Sequence, residues 1–396
     1  MKHACVFCER TAIDRNLWCP EKECPLASTE ILSYGIIIGD TKIINVVNDW
    51  RNATLYVGER KGKKVYIKVA KPNCEEPLKR EANLLKQIYN SRSKKYRSRQ
   101  LNKRQDPFPS FPRLLSPFEQ ADLQHYRPYG IAVRENQELH YIVFEYFDAV
   151  VLSQWLNQNP QPWFEHVIYI IDQLASAISV LHASHKKLHL MLNPNIVLVR
   201  FDLEGYPRPI LFDLGTLEDA QALIIDEVIP YLQKYAYAAY APKPLVLETN
   251  DNANKKEVDT YSLDIYGLAL MAEEMLIGQK RFTNVLQRED AIRTQVRLNK
   301  NTMRVRRPDI PNHSKVADYL AETINYQYSY QSSKSKPDYV VDARVFALQL
   351  LNTIGLKRTP SEQLTSKLRR RIIRGFIFAL IILLIIVLYF LLASSL

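Results

Sequence analysis

Glycine is scarce in this chain, with 11 among 396 residues. None lies between Gly39 and Gly58. Glycine is what lets a backbone approach phosphate oxygens closely, so this stretch does not supply a glycine-rich phosphate loop. Acid is missing further on. From Leu181 to Phe201 there is no Asp or Glu, so that stretch offers no carboxylate base and no carboxylate metal ligand. Beyond residue 24 the single cysteine is Cys74, which excludes a disulfide framework spread over the chain. The start carries no apolar run: Met1-Lys2-His3-Ala4 leads into cysteines, unlike a secretory signal.

The length suits one large domain of about 250–300 residues with attachments. The net charge of +11 and pI near 9.2 fit a membrane surface or a nucleic acid equally well, and carry no information about fold.

Four cysteines, Cys5, Cys8, Cys19 and Cys24, lie within the first 24 residues as C-x2-C, ten residues, then C-x4-C. Four thiolates on two short turns can close a tetrahedron around Zn²⁺, and so short a segment has too small a core to fold without it. The reading is a zinc ribbon over 1–30 with a structural Zn²⁺. Four Cys ligands leave no open position for catalysis. Two unrelated thiol pairs or disulfides are the alternative. Cys74, in the polar turn PNCEEP, reads as a lone thiol.

Residues 33–70 alternate apolar and polar side chains and are rich in β-branched residues, as in a strand meander. A helix is expected from Glu75 to about Asn90, with Leu78, Ala82, Leu85 and Ile88 at helical spacing. HYIVFEYF, 140–147, reads as a buried strand. Residues 164–184 have the spacing of a long buried helix, through Val167, Ile170, Ile171, Leu174, Ile178 and Leu181. Further helices are expected over 262–276, 316–328 and 341–354.

In this order the motifs resemble those of a protein kinase. VYIK matches the third-strand VAIK motif and makes Lys68 the candidate phosphate-contacting lysine. Glu81, thirteen residues later, stands where the helix carries the glutamate that pairs with it. Phe144 takes the gatekeeper place, and Glu145 and Tyr146 would present hinge backbone groups to an adenine. HLMLNPNI takes the place of the HRDxKPxN catalytic loop, with His189 and Pro194 matching. Asp213-Leu214-Gly215 stands for DFG, and Asp264 would accept hydrogen bonds from the loop backbone.

The resemblance implies an α+β, bilobal protein-kinase-like fold over 33–355. Its β-rich N-lobe would cover 33–148 and its helical C-lobe 149–355. It also implies ATP and Mg²⁺ as ligands, bound through Lys68, Glu81, Glu145, Tyr146 and Asp213.

The departures fall on the working groups. Met191 takes the place of the catalytic Asp, and a thioether is neither a base nor more than a weak acceptor. Ile196 replaces the metal-binding Asn, and Asn193 the loop lysine. Asn195 could take the metal role only in a loop one residue shorter. The glycine-loop places fall on Asn48, Trp50 and Ala53, where Trp50 obstructs a phosphate. Lys243 and Lys336 replace the Glu and Arg that pair at the end of the activation segment. His182 and His185 read as ending a helix, and His189 as a buried structural histidine rather than a metal ligand.

Two stretches point to a membrane. Residues 376–393 are 18 consecutive apolar residues. Such a run spans about 27 Å, close to the ~30 Å hydrocarbon core. KLRRRIIR, 367–374, precedes it and places the flanking domain in the cytoplasm by the positive-inside rule. The expected organisation is a basic linker over 356–371 and a tail-anchoring transmembrane helix over 372–394. The basic stretch 91–104 carries seven Lys or Arg; it is either a solvated mobile loop or a contact for anionic lipid or an acidic partner.

The leading expectation is a membrane-tethered pseudokinase serving as a signalling, scaffolding or nucleotide-sensing module. The alternatives are an active serine/threonine kinase with atypical metal and base usage, and a membrane-bound nucleic-acid-binding protein.

Overall fold

The computed structural model describes residues 3–4, 11–12, 32–50, 52–96, 110–120, 126–216, 218–219, 260–279, 307–326 and 342–356. The four N-terminal cysteines, Lys243, Lys336 and the apolar run 376–393 lie outside the described residues.

Two short strands, β1 (His3–Ala4) and β2 (Thr11–Ala12), pair antiparallel near the start. The N-lobe is an antiparallel sheet of β3 (Ile37–Ile38), β4 (Thr41–Asp49), β5 (Ala53–Arg60), β6 (Lys63–Ala70), β7 (Leu114–Leu115), β8 (Gly130–Arg134) and β9 (Gln137–Glu145). Its order is β3-β4-β5-β6-β9-β7, with β8 also on β9. The central strand β6 therefore lies between β5 and β9, with Lys68 opposite Leu55 on one side and Ile142 on the other.

Simple alternation would leave one face of this sheet polar. Instead Ala53–Gly58 of β5 and Val65–Ala70 of β6 are buried without a break, so both faces are covered. One face carries Leu55, Tyr66 and Ala70 and joins the main core. The other carries Tyr56, Val65, Ile67 and Val69 in a separate cluster.

Helix α1 (Glu75–Tyr96) follows β6. Glu75 and Glu76 in its first turn suit the positive end of its dipole. It buries Leu78, Ala82, Leu85 and Ile88, the stripe expected from the spacing. It runs six residues past Asn90 to Tyr96, so the basic stretch 91–104 begins as helix rather than as loop.

The C-lobe is helical. After β10 (Val150–Val151) come α2 (Leu152–Gln158) and α3 (Phe164–Val180), which continues into a π-helical turn, Leu181–His185. β11 (Lys187–Leu188), a 3₁₀ turn (Pro194–Ile196) and the hairpin of β12 (Val197–Phe201) with β13 (Pro207–Leu211) follow. β14 (Glu218–Asp219) pairs with β11. Then come α4 (Thr260–Ile277), α5 (His313–Tyr326) and α6 (Ala343–Ile354). Asp342 caps α6 by accepting from the Arg344 and Val345 amides, and Gly355 ends it with φ of 90°.

Among the described residues, one helical stretch, Phe164–His185, is long and apolar enough to cross a membrane. It is the central C-lobe helix, with every side chain from Val167 to Ile171 buried.

Candidate functional site

The cleft between the lobes holds a buried ion triad. Lys68 Nζ lies 2.5 Å from Glu81 Oε2 and 2.7 Å from Asp213 Oδ1. The period of β6 turns Lys68 inward, and the helical stripe of α1 turns Glu81 to meet it; both are at most 1 % exposed. Asp213 arrives from the turn after β13 with φ of 59°, a left-handed conformation that a residue with a Cβ adopts at some cost. Close packing fixes the turn: a Cβ on Gly215 would stand 2.1 Å from the Pro77 carbonyl oxygen.

Two carboxylates thus share one ammonium. Burial disfavours the Lys68 charge, but Asp213 and Glu81 more than offset it, and the lysine is held above its ordinary pKa. Burial pushes the Glu81 carboxyl up; Lys68 offsets only part of this, and the charge of Asp213 adds to the rise.

A second network supports the catalytic-loop stretch. Asp264 of α4 accepts from the backbone N–H of His189 (2.8 Å) and of Leu190 (2.6 Å). Its Oδ2 is also 2.8 Å from His182 Nε2. Burial alone would raise Asp264, yet these partners, His182 foremost, hold it below the usual carboxylate range. Leu190 takes φ of 64°, and in that conformation its N–H donates to Asp264 Oδ1. His189 is fully buried, and burial lowers its pKa, so it is neutral at pH 7. It is a core histidine, as expected. His182 does more than end a helix. The π-helical turn adds a residue to the repeat and brings its ring onto Asp264.

The ends of the catalytic-loop stretch that would meet a nucleotide are apolar or already bonded. Met191 is 5 % exposed and Ile196 is 1 % exposed. Asn193 turns its side chain back on the loop, donating to the Met191 carbonyl at 2.7 Å and accepting from the Asn195 amide at 2.8 Å. Asn195 offers its carbonyl instead of its side chain. That oxygen accepts from Trp50 Nε1 at 2.9 Å and from Asn48 Nδ2 at 2.5 Å.

The turn between β4 and β5 is thereby bonded across the cleft. Trp50 is 1 % exposed, with its ring 5.0 Å from Lys68 Nζ and 6.0 Å from the Phe212 ring. Asn52 follows it in and donates to Asp213 Oδ1 at 2.6 Å. So the one carboxylate left at the metal-ligand places already accepts from both Lys68 and Asn52 at the same oxygen.

The hinge side is filled as well. Tyr66, two residues before Lys68 and on the same face, donates its hydroxyl to the Phe147 carbonyl at 2.8 Å. Its ring lies 5.1 Å from those of both Tyr146 and Phe147. Burial pushes its phenol well above the ordinary value. Glu145 gives its amide to the Arg113 carbonyl at 2.9 Å, and its carboxylate points outward to Arg113. Of the residues singled out from sequence, Lys68, Glu81 and Asp213 meet at one point. Glu145 and Tyr146 lie on the hinge, where Tyr66 covers the approach to them.

Tyr66 and Asn52 were not anticipated as site residues. The signal for Tyr66 was present, because a tyrosine stands where the matched motif VAIK has alanine. No sequence signal linked Asn52 to Asp213, 161 positions away. In this arrangement the residues present do not fit a nucleotide with Mg²⁺. Aromatic side chains fill the base and phosphate sides, and a single carboxylate, already bonded, faces the metal places.

No protein-family model matches the chain. A stretch of 83 residues is 39% identical to the probable serine/threonine-protein kinase PknB of Lactococcus lactis, covering 21% of this chain and 13% of that protein. The chain is protein-kinase-like. This segmental match joins the kinase-type order of β N-lobe, lysine–glutamate pair, supported loop and helical C-lobe. The chain therefore aligns with about an eighth of that curated relative. The Mycobacterium tuberculosis PknI kinase domain superposes with a TM-score of 0.43 at 15% identity, over 82% of this chain and 100% of that domain. A double-mutant form of that domain gives 0.44 at 15% identity, over 82% and 99%.

Proposed function

We infer that this kinase-like protein is a pseudokinase, a membrane-tethered signalling or scaffolding module that does not turn over ATP. The observation that carries this reading is the bond from Trp50 across the cleft to the Asn195 carbonyl. It places an indole where a phosphate-binding loop would have to open, beside a loop whose base place holds Met191. Phosphoryl transfer is positioning and electrostatics, supplied by a loop Asp, metal ligands and backbone donors on the phosphates. Here the fold-supporting groups His189, Asp264, Lys68 and Glu81 persist, while the groups used in turnover are replaced.

Tethering rests on the sequence of 367–393, a basic segment followed by 18 apolar residues. The four N-terminal cysteines with zinc spacing, in reduced form, agree with a cytoplasmic face. The basic stretch 91–104 would add contact with anionic lipid.

The test is transfer of the terminal phosphate of ATP to protein or to water by purified full-length chain in lipid, with Lys68→Ala as the control. The account expects equal, background-level release from both. Release by the natural chain that Lys68→Ala abolishes would establish an active enzyme with atypical groups.

A further inference from the structure

We propose that the C-lobe edge formed by Trp163, Phe201 and Leu203 rests in the headgroup region of the bilayer, as an apolar contact additional to the anchor. The proposal rests on the membrane-tethered reading given above. Trp163, at the start of α3, is 74 % exposed, and Phe201, the last residue of β12, is 44 % exposed. Leu203, in the turn from β12 to β13, is fully exposed. Large apolar side chains left in water together mark a contact surface.

Ring contacts join the two tips into one patch. The Trp163 ring lies 5.9 Å from that of His166, which lies 6.1 Å from that of Tyr206, at the end of the Leu203 turn. On the other side the Phe201 ring is 5.7 Å from that of Trp155. The turn is firmly held. Asp202 accepts from the amides of Glu204 at 3.0 Å and Tyr206 at 2.9 Å, and its other oxygen accepts from Arg208 at 3.0 Å. Leu203 is thus presented in a fixed position, and little conformational freedom is lost when it is covered.

Shape and chemistry favour lipid as the occupant. Leu203 stands on a turn and Trp163 at a helix start, so both project from the lobe. A protein partner would need hollows to match them, whereas lipid headgroups part around projecting side chains. The rings of Trp and Tyr, with an apolar body and a polar tip, are favoured at that depth. Glu204 follows Leu203 and Glu165 lies two residues after Trp163, offsetting Arg200. The contact therefore calls for no anionic lipid.

The chain keeps this edge within reach of the bilayer. Arg344, at the start of α6, lies 3.4 Å from Asp172 of α3. Trp163 precedes Asp172 by nine residues, about 14 Å along the helix. α6 ends at Ile354, and the described chain stops at Leu356. Eleven residues on, at Lys367, the basic segment before the apolar run begins. That is at most about 40 Å of extended chain.

The experiment uses the full chain in phosphatidylcholine vesicles, with p-benzoylphenylalanine in place of Trp163 or of Leu203. The same probe in place of Val133, an N-lobe side chain 73 % exposed, is the comparison. Vesicle flotation comes first. A chain that fails to float would overturn the tethered reading, and this proposal with it. For a chain that floats, light-induced lipid adducts from positions 163 and 203 should exceed those from position 133 several-fold. Equal yields from the three positions would overturn this proposal and leave the tether standing. Adducts from 163 and 203 to protein in place of lipid would also overturn it, and would assign the patch to a protein partner or a second copy.

Discussion

The two halves of the candidate site have met different fates. Below the cleft, Asp264 gathers one network: the backbone amides of His189 and Leu190 and the His182 imidazole all find the same carboxylate. Above and within it, the turn of Asn48, Trp50 and Asn52 has folded inward and bonded to the groups a nucleotide would need. The contrast teaches what each set is for. The lower network satisfies donors that burial would otherwise leave unpaired, and each such donor costs about 1–3 kcal/mol. It is needed whether or not any reaction occurs. A phosphate-binding loop satisfies nothing in the protein's own fold. Once turnover is not required, side chains that fill the space are favoured over glycines that keep it open.

The largest effect expected is on the lower network. Asp264→Ala leaves the His189 and Leu190 amides and the His182 ring without their acceptor. A loss of about 5 kcal/mol follows from three donors at roughly 1–3 kcal/mol each. Chemical denaturation measures it, and a loss no greater than that of a surface substitution would break the distinction drawn above.

Next comes the triad, which belongs to both halves. Lys68→Met leaves Glu81 and Asp213 facing each other without a cation. Removing one partner of a buried pair costs about 3–5 kcal/mol. Adding Glu81→Met to Lys68→Met should recover much of it, since an apolar pair of similar volume is often tolerated. If the double variant is as unstable as the single one, the lysine acts through something other than this charge pairing.

The smallest effect is the pH dependence, where Asp264 and Glu81 have opposite signs. Asp264 is held below its ordinary value of 3.8, so it stabilises the fold above that pH, and the contribution is lost as pH falls through its folded value. Glu81 is raised above 4.5, so its folded form binds the proton more tightly and stability declines as pH rises from 4.5 through the folded value. A stability profile should therefore rise on acidification toward 4.5 and fall below 3.8. Glu81→Gln should remove the rise and leave the fall. A rise that survives in Glu81→Gln would assign it to another group.

Much of this was legible in the sequence. Lys68 and Glu81 were read from the resemblance of VYIK and the helix after it to kinase motifs, and the fold brings the two together. The stripe of α1 and the buried run of α3 were read from local helical spacing, which held. The partnership of His182 with Asp264 was not legible, because it depends on a π-helical turn that no residue type announces. The closure of the cleft was half legible. Trp50 stood at a glycine place, which told of obstruction, but not that its indole would bond to the Asn195 carbonyl 145 positions on. Asn195 could read as a metal ligand only in a loop one residue shorter; the fold uses its backbone carbonyl instead. The double-faced burial of the N-lobe sheet was also missed, since alternation in β5 and β6 is blurred once both faces are covered.

The central claim is that the cleft is occupied by the chain's own Trp50 and Tyr66. The most direct test is the melting temperature of the full chain in lipid with and without millimolar ATP and Mg²⁺, beside a Trp50→Gly, Tyr66→Ala double variant. A ligand at 100 times its dissociation constant stabilises by about 2.7 kcal/mol, which is readily seen. The account predicts no shift for the natural chain and a nucleotide-dependent shift once both rings are removed. A Mg²⁺-dependent shift in the natural chain would contradict it.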